Sequence, residues 1–378
     1  MIRESDVQWW ILEAKEHPEA TPQIIEELAK RLIELDTENE QLRATLIRLQ
    51  QHAPAAQPES ALQDLKRQVK TLQKALQRQD AGAPSLVLLS DRLQAARVPP
   101  GHARQLAEQD QPVLDMRAAL SLRGIVSAGP GDELLLVTNL ARAYKRLVAD
   151  VAPLGDKGRW PTSAQDLELD EAERLTALAI GSPAPRLWTL VTRRGYVQRL
   201  VHAGMERRMA QGEPLASRLE RRDAPIALVS GDHRELVLIT SWGQAIRFPQ
   251  HTIETQGSIA LDLAPDDQVV GALALSVDAD TPCELLIVTA SGYGLRRDIS
   301  QLPARSRPGD TPGKTLIQAH DVLGLFAAQP NAQLVFATYS GKLIFAAAED
   351  AARHDRLAKG SRLCDLDRDP AVAVTQVA

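Results

Sequence analysis

Two hydrophobic periodicities divide the chain. Up to about residue 80, apolar side chains recur every three to four positions, as helices with one buried face require. From Pro84 onward they come in short runs closed by Thr or Ser and separated by Gly, Pro and Asp, as strands joined by tight turns require. Val7, Trp10, Ile11 and Ala14 line one face of a first helix, which Ser5–Asp6 caps and Pro18 ends. Thr21–Pro22 opens a second helix, with proline at the first helical position and Glu26 and Glu27 in the first turn. Along it Ile25, Leu32, Asn39 and Leu46 fall at heptad position a, and Leu28, Leu35, Leu42 and Leu49 at d.

That heptad predicts a coiled coil. An Asn among apolar a positions fixes register in a parallel dimer, because each Asn bonds its twin and loses that bond in other alignments. The flanking charges agree: Arg31 at g faces Asp36 at e of the second chain, and Glu38 at g faces Arg43. The segment Gln51–Ser60 breaks the helix with Pro54 and Pro58. A second run, Leu62, Leu65, Val69, Leu72 and Leu76, is out of phase with the first by two residues, so 51–60 is a hinge. The alternative is that both helices fold back on each other or on the β domain. No basic run precedes the stripe, which excludes a bZIP factor.

Beyond residue 84 one pattern recurs six times. The copies read SLVLLSDRLQAARVP (85–99), ELLLVTNLARAYKRL (133–147), RLWTLVTRRGYVQRL (186–200), ELVLITSWGQAIRFP (235–249), ELLIVTASGYGLRRD (284–298) and QLVFATYSGKLIFAA (333–347). Each is a strand ending on an anchor, Ser90, Thr138, Thr192, Thr240, Thr289 or Thr338, then a turn and a second strand. The anchors are 48, 54, 48, 49 and 49 residues apart. In the last four copies Gly195, Gly243, Gly292 and Gly341 stand three residues after the anchor, where a hairpin needs positive φ. Seven residues after the anchor stand Arg97, Lys145, Arg199, Arg247 and Arg296; the sixth copy has Phe345. Further on, a second Gly leads an apolar stretch (Gly257–Leu261, Gly313–Leu316, Gly360–Leu363), followed by an acidic residue and another strand. About four short strands at a period of roughly 50 residues make a propeller blade. The expected fold is therefore mainly β: a six-bladed β-propeller or β-pinwheel preceded by an α-helical coiled coil. The boundaries are a short amphipathic helix at 1–20, the coiled coil at 21–80 and the repeats at 84–378. The chain ends on an orphan strand, Ala371–Val377, whose simplest closure pairs it with the first copy.

The T-x-x-G-x-x-x-R hairpin, followed by a Gly-led strand and an Asp-led strand, resembles the C-terminal domain of DNA gyrase A and its topoisomerase IV counterpart. The resemblance covers about Pro84–Ala378. It implies a β-pinwheel that bends duplex DNA around its rim. The family's basic, glycine-rich box is missing from Pro99–Gly124, and the nearest match, Leu154–Trp160, lacks the arginine pair. No breakage–reunion domain is found. All four tyrosines, Tyr144, Tyr196, Tyr293 and Tyr339, lie inside repeat motifs, so none is expected to cleave a strand.

Composition bounds the rest. With 44% hydrophobic residues, 3% aromatics and a net charge of −5, the chain can bury a core but shows no global basic bias. Any DNA site must come from charge segregation. No apolar run reaches membrane-spanning length, so a cytoplasmic protein with no membrane partner is expected, associated with the nucleoid if it binds DNA. Cys283 and Cys364 are far apart and without His ligands in zinc spacing, so neither metal nor cofactor is expected. Pro308–Thr315 imitates a P-loop one residue short, but occupies the place of Gly257 and Gly360 in its repeat. Trp160, Trp188 and Trp242 suit core packing better than base stacking.

The expected function is non-catalytic DNA binding on a coiled-coil homodimer, with a topoisomerase or another protein as a further partner. The candidate DNA-binding residues are Arg97, Lys145, Arg146, Arg194, Arg199, Arg247, Arg296 and Arg297, a stripe of cations for phosphates. The alternatives are that these cations pair with acidic residues of the next blade, and that the propeller is a protein-interaction scaffold. For the stalk, Asn39→Leu is expected to raise the melting temperature and broaden the oligomer distribution in analytical ultracentrifugation. A wild-type chain that sediments as a monomer at micromolar concentration contradicts the dimer.

Overall fold

A computed structural model of the chain describes Pro22, Ile25, Glu26, Ala29, Lys30, Ile33, Thr37 and Gln41, and residues 84–377 except 115–121, 156–157, 162–168, 182–183, 217, 234, 277–282 and 310. The chain divides into two compact units, Met1–Gln77 and Arg78–Ala378. In the first, the described residues are helical and exposed, and Thr37 Oγ1 donates to the Ile33 carbonyl at 2.7 Å. Leu28, Leu32, Leu35, Asn39, Leu42, Leu46 and Leu49, the first helix and the proline hinge lie outside the described residues.

The second unit is built from the repeated hairpins. In chain order the strands of the first three repeats are β1 (Ser85–Ser90), β2 (Ala95–Val98), β3 (Leu122–Ala128), β4 (Glu133–Thr138), β5 (Ala143–Leu147), β6 (Leu175–Ile180), β7 (Leu187–Thr192), β8 (Tyr196–Val201) and β9 (Pro225–Ser230). The fourth and fifth repeats give β10 (Glu235–Thr240), β11 (Gln244–Pro249), β12 (Ser258–Ile259), β13 (Val269–Leu275), β14 (Glu284–Thr289), β15 (Tyr293–Asp298), β16 (Lys314–Thr315) and β17 (Val322–Ala327). The sixth gives β18 (Gln333–Thr338), β19 (Leu343–Ala347), β20 (Ala352–Arg353), β21 (Ser361–Arg362) and β22 (Ala371–Val377). Helix α1 (Pro100–Glu108) follows β2 and helix α2 (His202–Ala210) follows β8.

Each hairpin turn follows from its sequence. The anchor hydroxyl is buried and accepts a backbone N–H across the turn, from Tyr196 to Thr192, Gln244 to Thr240, Tyr293 to Thr289 and Lys342 to Thr338, all at 3.1–3.2 Å. Gly195, Gly243, Gly292 and Gly341 have φ between 74° and 88°. At Gly243 and Gly292 an added Cβ would fall 2.6 Å and 2.4 Å from the carbonyl oxygens of Ile317 and Cys364, so close approach as well as φ demands glycine. The first two repeats place Leu93 and Ala141 there instead, both at positive φ.

The strands form six antiparallel-cored sheets, each with the first strand of its repeat flanked by the second and third. The first strands are apolar on both faces because a neighbouring sheet covers each face. Val87 and Leu89 pack on Leu134 and Leu136; Leu135 and Val137 on Trp188 and Leu190; Val191 on Leu236 and Leu238. Val237 and Ile239 then meet Leu285 and Ile287, Leu286 and Val288 meet Leu334 and Phe336, and Val335 and Ala337 return to Leu86 and Leu88. Period-two alternation thus sends each strand's side chains to two different cores. Burying one such leucine contributes about 1.5–3 kcal/mol. The third strands touch in the cycle β3, β6, β9, β13, β17, β22 and back to β3, so they line the centre of a closed ring.

The outer edge is completed by exchange. Strand β12, from the fourth repeat, pairs with β8 of the third; β16, from the fifth, pairs with β11; β20 and β21, from the sixth, pair with β15. Backbone N–H groups of the incoming segments donate to the turn residue of the preceding repeat: Leu215 to Ala141, Ala260 to Gly195, Leu316 to Gly243 and Leu363 to Gly292, at 2.7–2.9 Å. The same bond closes the ring, since Val113 N donates to Gly341 O at 2.8 Å. The expected pairing of Ala371–Val377 with the first copy is therefore not found: β22 pairs with β18 of its own repeat and only packs on β3. The bond that joins the second to sixth repeats in succession also makes the seam. The first, second and sixth repeats have three-stranded sheets among the described residues, against the expected four.

Candidate nucleic-acid interface

The cations seven residues after the anchors sit in register with the residue three before it, on the second strand, next to the outer edge. There the four arginines meet a 3-10 turn of the following repeat, whereas Lys145 meets helix α2. The turn's last carbonyls lack helical partners and carry partial negative charge, so a guanidinium suits them. Arg97 Nε donates to Val151 O at 2.8 Å, and Arg296 Nε to Ala351 O at 2.8 Å. Arg247 Nη1 reaches Ile299 O and Leu302 O at 3.2 and 3.4 Å, while Arg199 Nη1 reaches His251 O at 3.5 Å. Carboxylates on the first strand of the same repeat add ion pairs, Glu235 with Arg247 at 2.6 Å and Glu284 with Arg296 at 3.8 Å. Lys145 lies between Glu133, at 3.0 Å, and Glu206 of the next repeat, at 2.6 Å. Burial alone would lower its pKa, but the two carboxylates raise it above the ordinary lysine value.

These contacts modify both sequence readings. The motif cations point across repeat boundaries, and most of their partners there are backbone carbonyls. The eight candidates do not converge on one patch. Arg146 and Arg297 are buried, at 9% and 4% exposure. Arg297 donates to Leu316 O, Gln301 Oε1, Asp355 O and Arg356 O at 2.7–3.0 Å, and burial lowers its pKa. It rivets the loop at 353–360 to the ring. Arg194 is exposed, and its backbone N–H, rather than its side chain, serves the turn by donating to Asp223 at 3.0 Å.

Sequence reasoning left two sets of residues without a role. One is the acidic residue that it noted before the third strand, seen here in the second to sixth repeats. Asp223, Asp267, Asp321 and Asp369 accept turn amides from Arg194, Trp242, Ser291 and Ser340 at 2.9–3.1 Å, and Glu173 accepts the Thr138 hydroxyl at 2.7 Å. Their signal is the recurring acid itself. The other set is the cations of the perimeter loops that carry the exchanged strands. Arg305, Arg307 and Lys314 are exposed on one, and Arg353, Arg356, Lys359 and Arg362 on the next. Lys359 Nζ stands 3.9 Å above the Tyr293 ring. Arg353 pairs with Glu284 and Asp298, and Arg362 with Asp365 and Asp367. The signal was the basic residues beside Gly313 and Gly360.

Other motifs find structural places. Lys314 and Thr315 of the P-loop-like segment form the exchanged strand β16. Trp188 is buried and donates to His202 Nδ1 at 3.1 Å, and Trp242 meets His320 edge-on at 5.3 Å. Burial raises the Cys283 thiol pKa and pushes that of Cys364 up to about 11. Among the described residues, no three metal-binding side chains stand together, and no helix is long and apolar enough to cross a membrane.

The profile of the family described as DNA gyrase C-terminal domain, β-propeller, matches residues 234–276 and 284–309. The solved structure of a DNA gyrase A C-terminal domain superposes with a TM-score of 0.63 at 16% identity, over 78% of this chain and all of that one. The repeat unit has the fold of the gyrase A C-terminal domain. The C-terminal domain of DNA topoisomerase IV superposes with a TM-score of 0.55 at 18% identity, over 78% of this chain and 94% of that one. In sequence, the DNA gyrase A protein of Haloquadratum walsbyi is 29% identical over 200 residues, covering 50% of this chain and 23% of the relative. That of Staphylococcus aureus is 27% identical over 262 residues, covering 66% of this chain and 29% of the relative. The chain thus spans about a quarter of the length of the curated relatives it matches.

The rivet role of Arg297 in this gyrase-like ring is testable. Arg297→Met is expected to lower unfolding free energy by roughly 2–4 kcal/mol, because the buried Leu316 carbonyl and three half-buried acceptors lose a charged donor. Urea denaturation measures this, and an unchanged midpoint contradicts the role.

Proposed function

We propose that the chain is a non-catalytic DNA-binding protein. Its six sheets serve as the six blades of one pinwheel, and its N-terminal heptads join two pinwheels into a homodimer. What carries the reading is that both the fold and the sequence similarity lead to DNA gyrase A C-terminal domains, parts of an enzyme named for acting on DNA. On this reading the duplex runs along the outer edge and is held through phosphates, with little base discrimination. The exposed perimeter-loop cations, Arg305, Arg307, Arg356 and Lys359, supply the contacts. Lys145, Arg194, Arg199 and Arg296 contribute from beside them. Arg97 and Arg247 act mainly between repeats, and Arg146 and Arg297 from the interior. A topoisomerase partner and a nucleoid location follow if the duplex is bound. No step of bond making is assigned to any residue.

One observation favours a scaffold instead: the motif cations are engaged within the ring, and the chain carries a net charge of −5. Fluorescence anisotropy with linear duplexes of unrelated sequence separates the two readings. DNA binding predicts similar affinity for each duplex and a slope of log K against log salt of roughly −2 to −4. Replacing Arg307, Arg356 and Lys359 with Glu should weaken all duplexes alike at unchanged circular dichroism, whereas Arg247→Ala should chiefly lower the melting temperature. Absence of binding even at low salt would leave the scaffold reading.

A further inference from the structure

A groove of about 750 Å³ opens between the third and fourth repeats, and its two lining arginines, Arg186 and Arg199, form no ion pair among the described residues. Its carboxylates are already committed. Asp232 accepts the backbone N–H groups of Arg186 and Leu187 at 2.8 and 3.1 Å, and Glu235 holds Arg247. His233 and His251 complete the wall, with His233 Nδ1 3.1 Å from Ser276 Oγ.

Comparison with the other repeats isolates Arg199. Five residues before the anchor, the second, fourth and fifth repeats carry Glu133, Glu235 and Glu284, and each pairs with the cation of its own repeat. The third repeat has Leu187 at that position. The first repeat also lacks the carboxylate, but there Arg97 Nε bonds Val151 O. Arg199 Nε is buried without a partner among the described residues, and the bond from its Nη1 to His251 O is long at 3.5 Å. An unpaired donor on a partly desolvated guanidinium is costly, and the open groove is where an external acceptor would approach it.

We propose that this groove binds a phosphate-class oxyanion, with Arg199 as its principal donor and Arg186 supplying the second charge. A guanidinium offers planar, paired N–H donors that match a phosphate edge, and charge-assisted bonds of this kind are the stronger ones. The removal of the carboxylate while the arginine is kept is what turns a latch into a receptor. The proposal rests on the groove's own chemistry and does not need the duplex reading. The phosphate can belong to a small molecule or to a nucleic-acid backbone.

The test uses the full chain, with inorganic phosphate titrated against chloride at constant ionic strength, read by thermal shift and by the Arg Nε–Hε resonances. Phosphate should stabilise the wild type saturably and shift the Arg199 resonance. Arg199→Gln should weaken binding about tenfold or more, as loss of charge-assisted bonds predicts. Leu187→Glu restores the carboxylate of the other repeats, so it should fold at least as stably and lose the phosphate response. Equal phosphate responses in wild type and Leu187→Glu, or an equal effect of chloride, overturn the proposal. If Leu187→Glu also weakens duplex binding, the bound phosphate is that of the backbone. If duplex binding is unchanged while the phosphate response is lost, the site serves a small phosphorylated ligand.

Discussion

A β-hairpin of two short strands has an open edge, and the ring exists because the next repeat covers it. An uncovered edge presents unpaired N–H and C=O groups that invite pairing with other chains. Here the backbone of the following segment returns to the turn of the preceding hairpin, from Leu215 to Ala141 and onward to Val113 on Gly341, and the second repeat joins the first through Leu154 N on Arg97 O. The rest depends on this constraint. Positive φ at the turn residue, and the absence of a Cβ at Gly243 and Gly292, bring the carbonyl within reach of the incoming chain. The acids before the third strands hold the turns that receive it.

The same constraint governs where charge goes. A guanidinium beside an outer edge can cap the 3-10 turn of the next repeat or face solvent, but its donors are finite. Arg97, Arg247 and Arg296 are spent on carbonyls and carboxylates, and buried Arg297 makes four hydrogen bonds inside the ring. On the proposed reading, the charge that meets a duplex therefore falls mainly to the perimeter loops, whose cations belong to the exchanged segments. The third repeat breaks the pattern by replacing the carboxylate with Leu187, which leaves Arg199 short of partners.

The repeats, their hairpins and the mainly β fold were legible because a buried strand between two cores must be continuously apolar and its turn must tolerate positive φ. Leu236–Ile239 followed by Thr240 and Gly243 states both conditions locally. The exchange was not legible. Ser258–Ile259 and Lys314–Thr315 are two-residue strands with no periodicity, and their partners lie about 60 to 70 residues upstream. For the same reason the last strand was assigned to the wrong neighbour. Cations at a fixed offset suggested a phosphate stripe, but offset fixes only register; which way a side chain is used depends on the carbonyls that arrive from the next repeat.

The central claim is that the repeats are completed by their neighbours and so stand or fall as one ring. Native-state hydrogen exchange by mass spectrometry tests it most directly. The amides of Ala260, Leu316 and Leu363 should exchange only by global opening, with the same free energy as core-strand amides such as Leu238 and Ile287. Exchange of the cross-repeat amides orders of magnitude faster than that of the strand cores would show self-sufficient repeats and contradict the account.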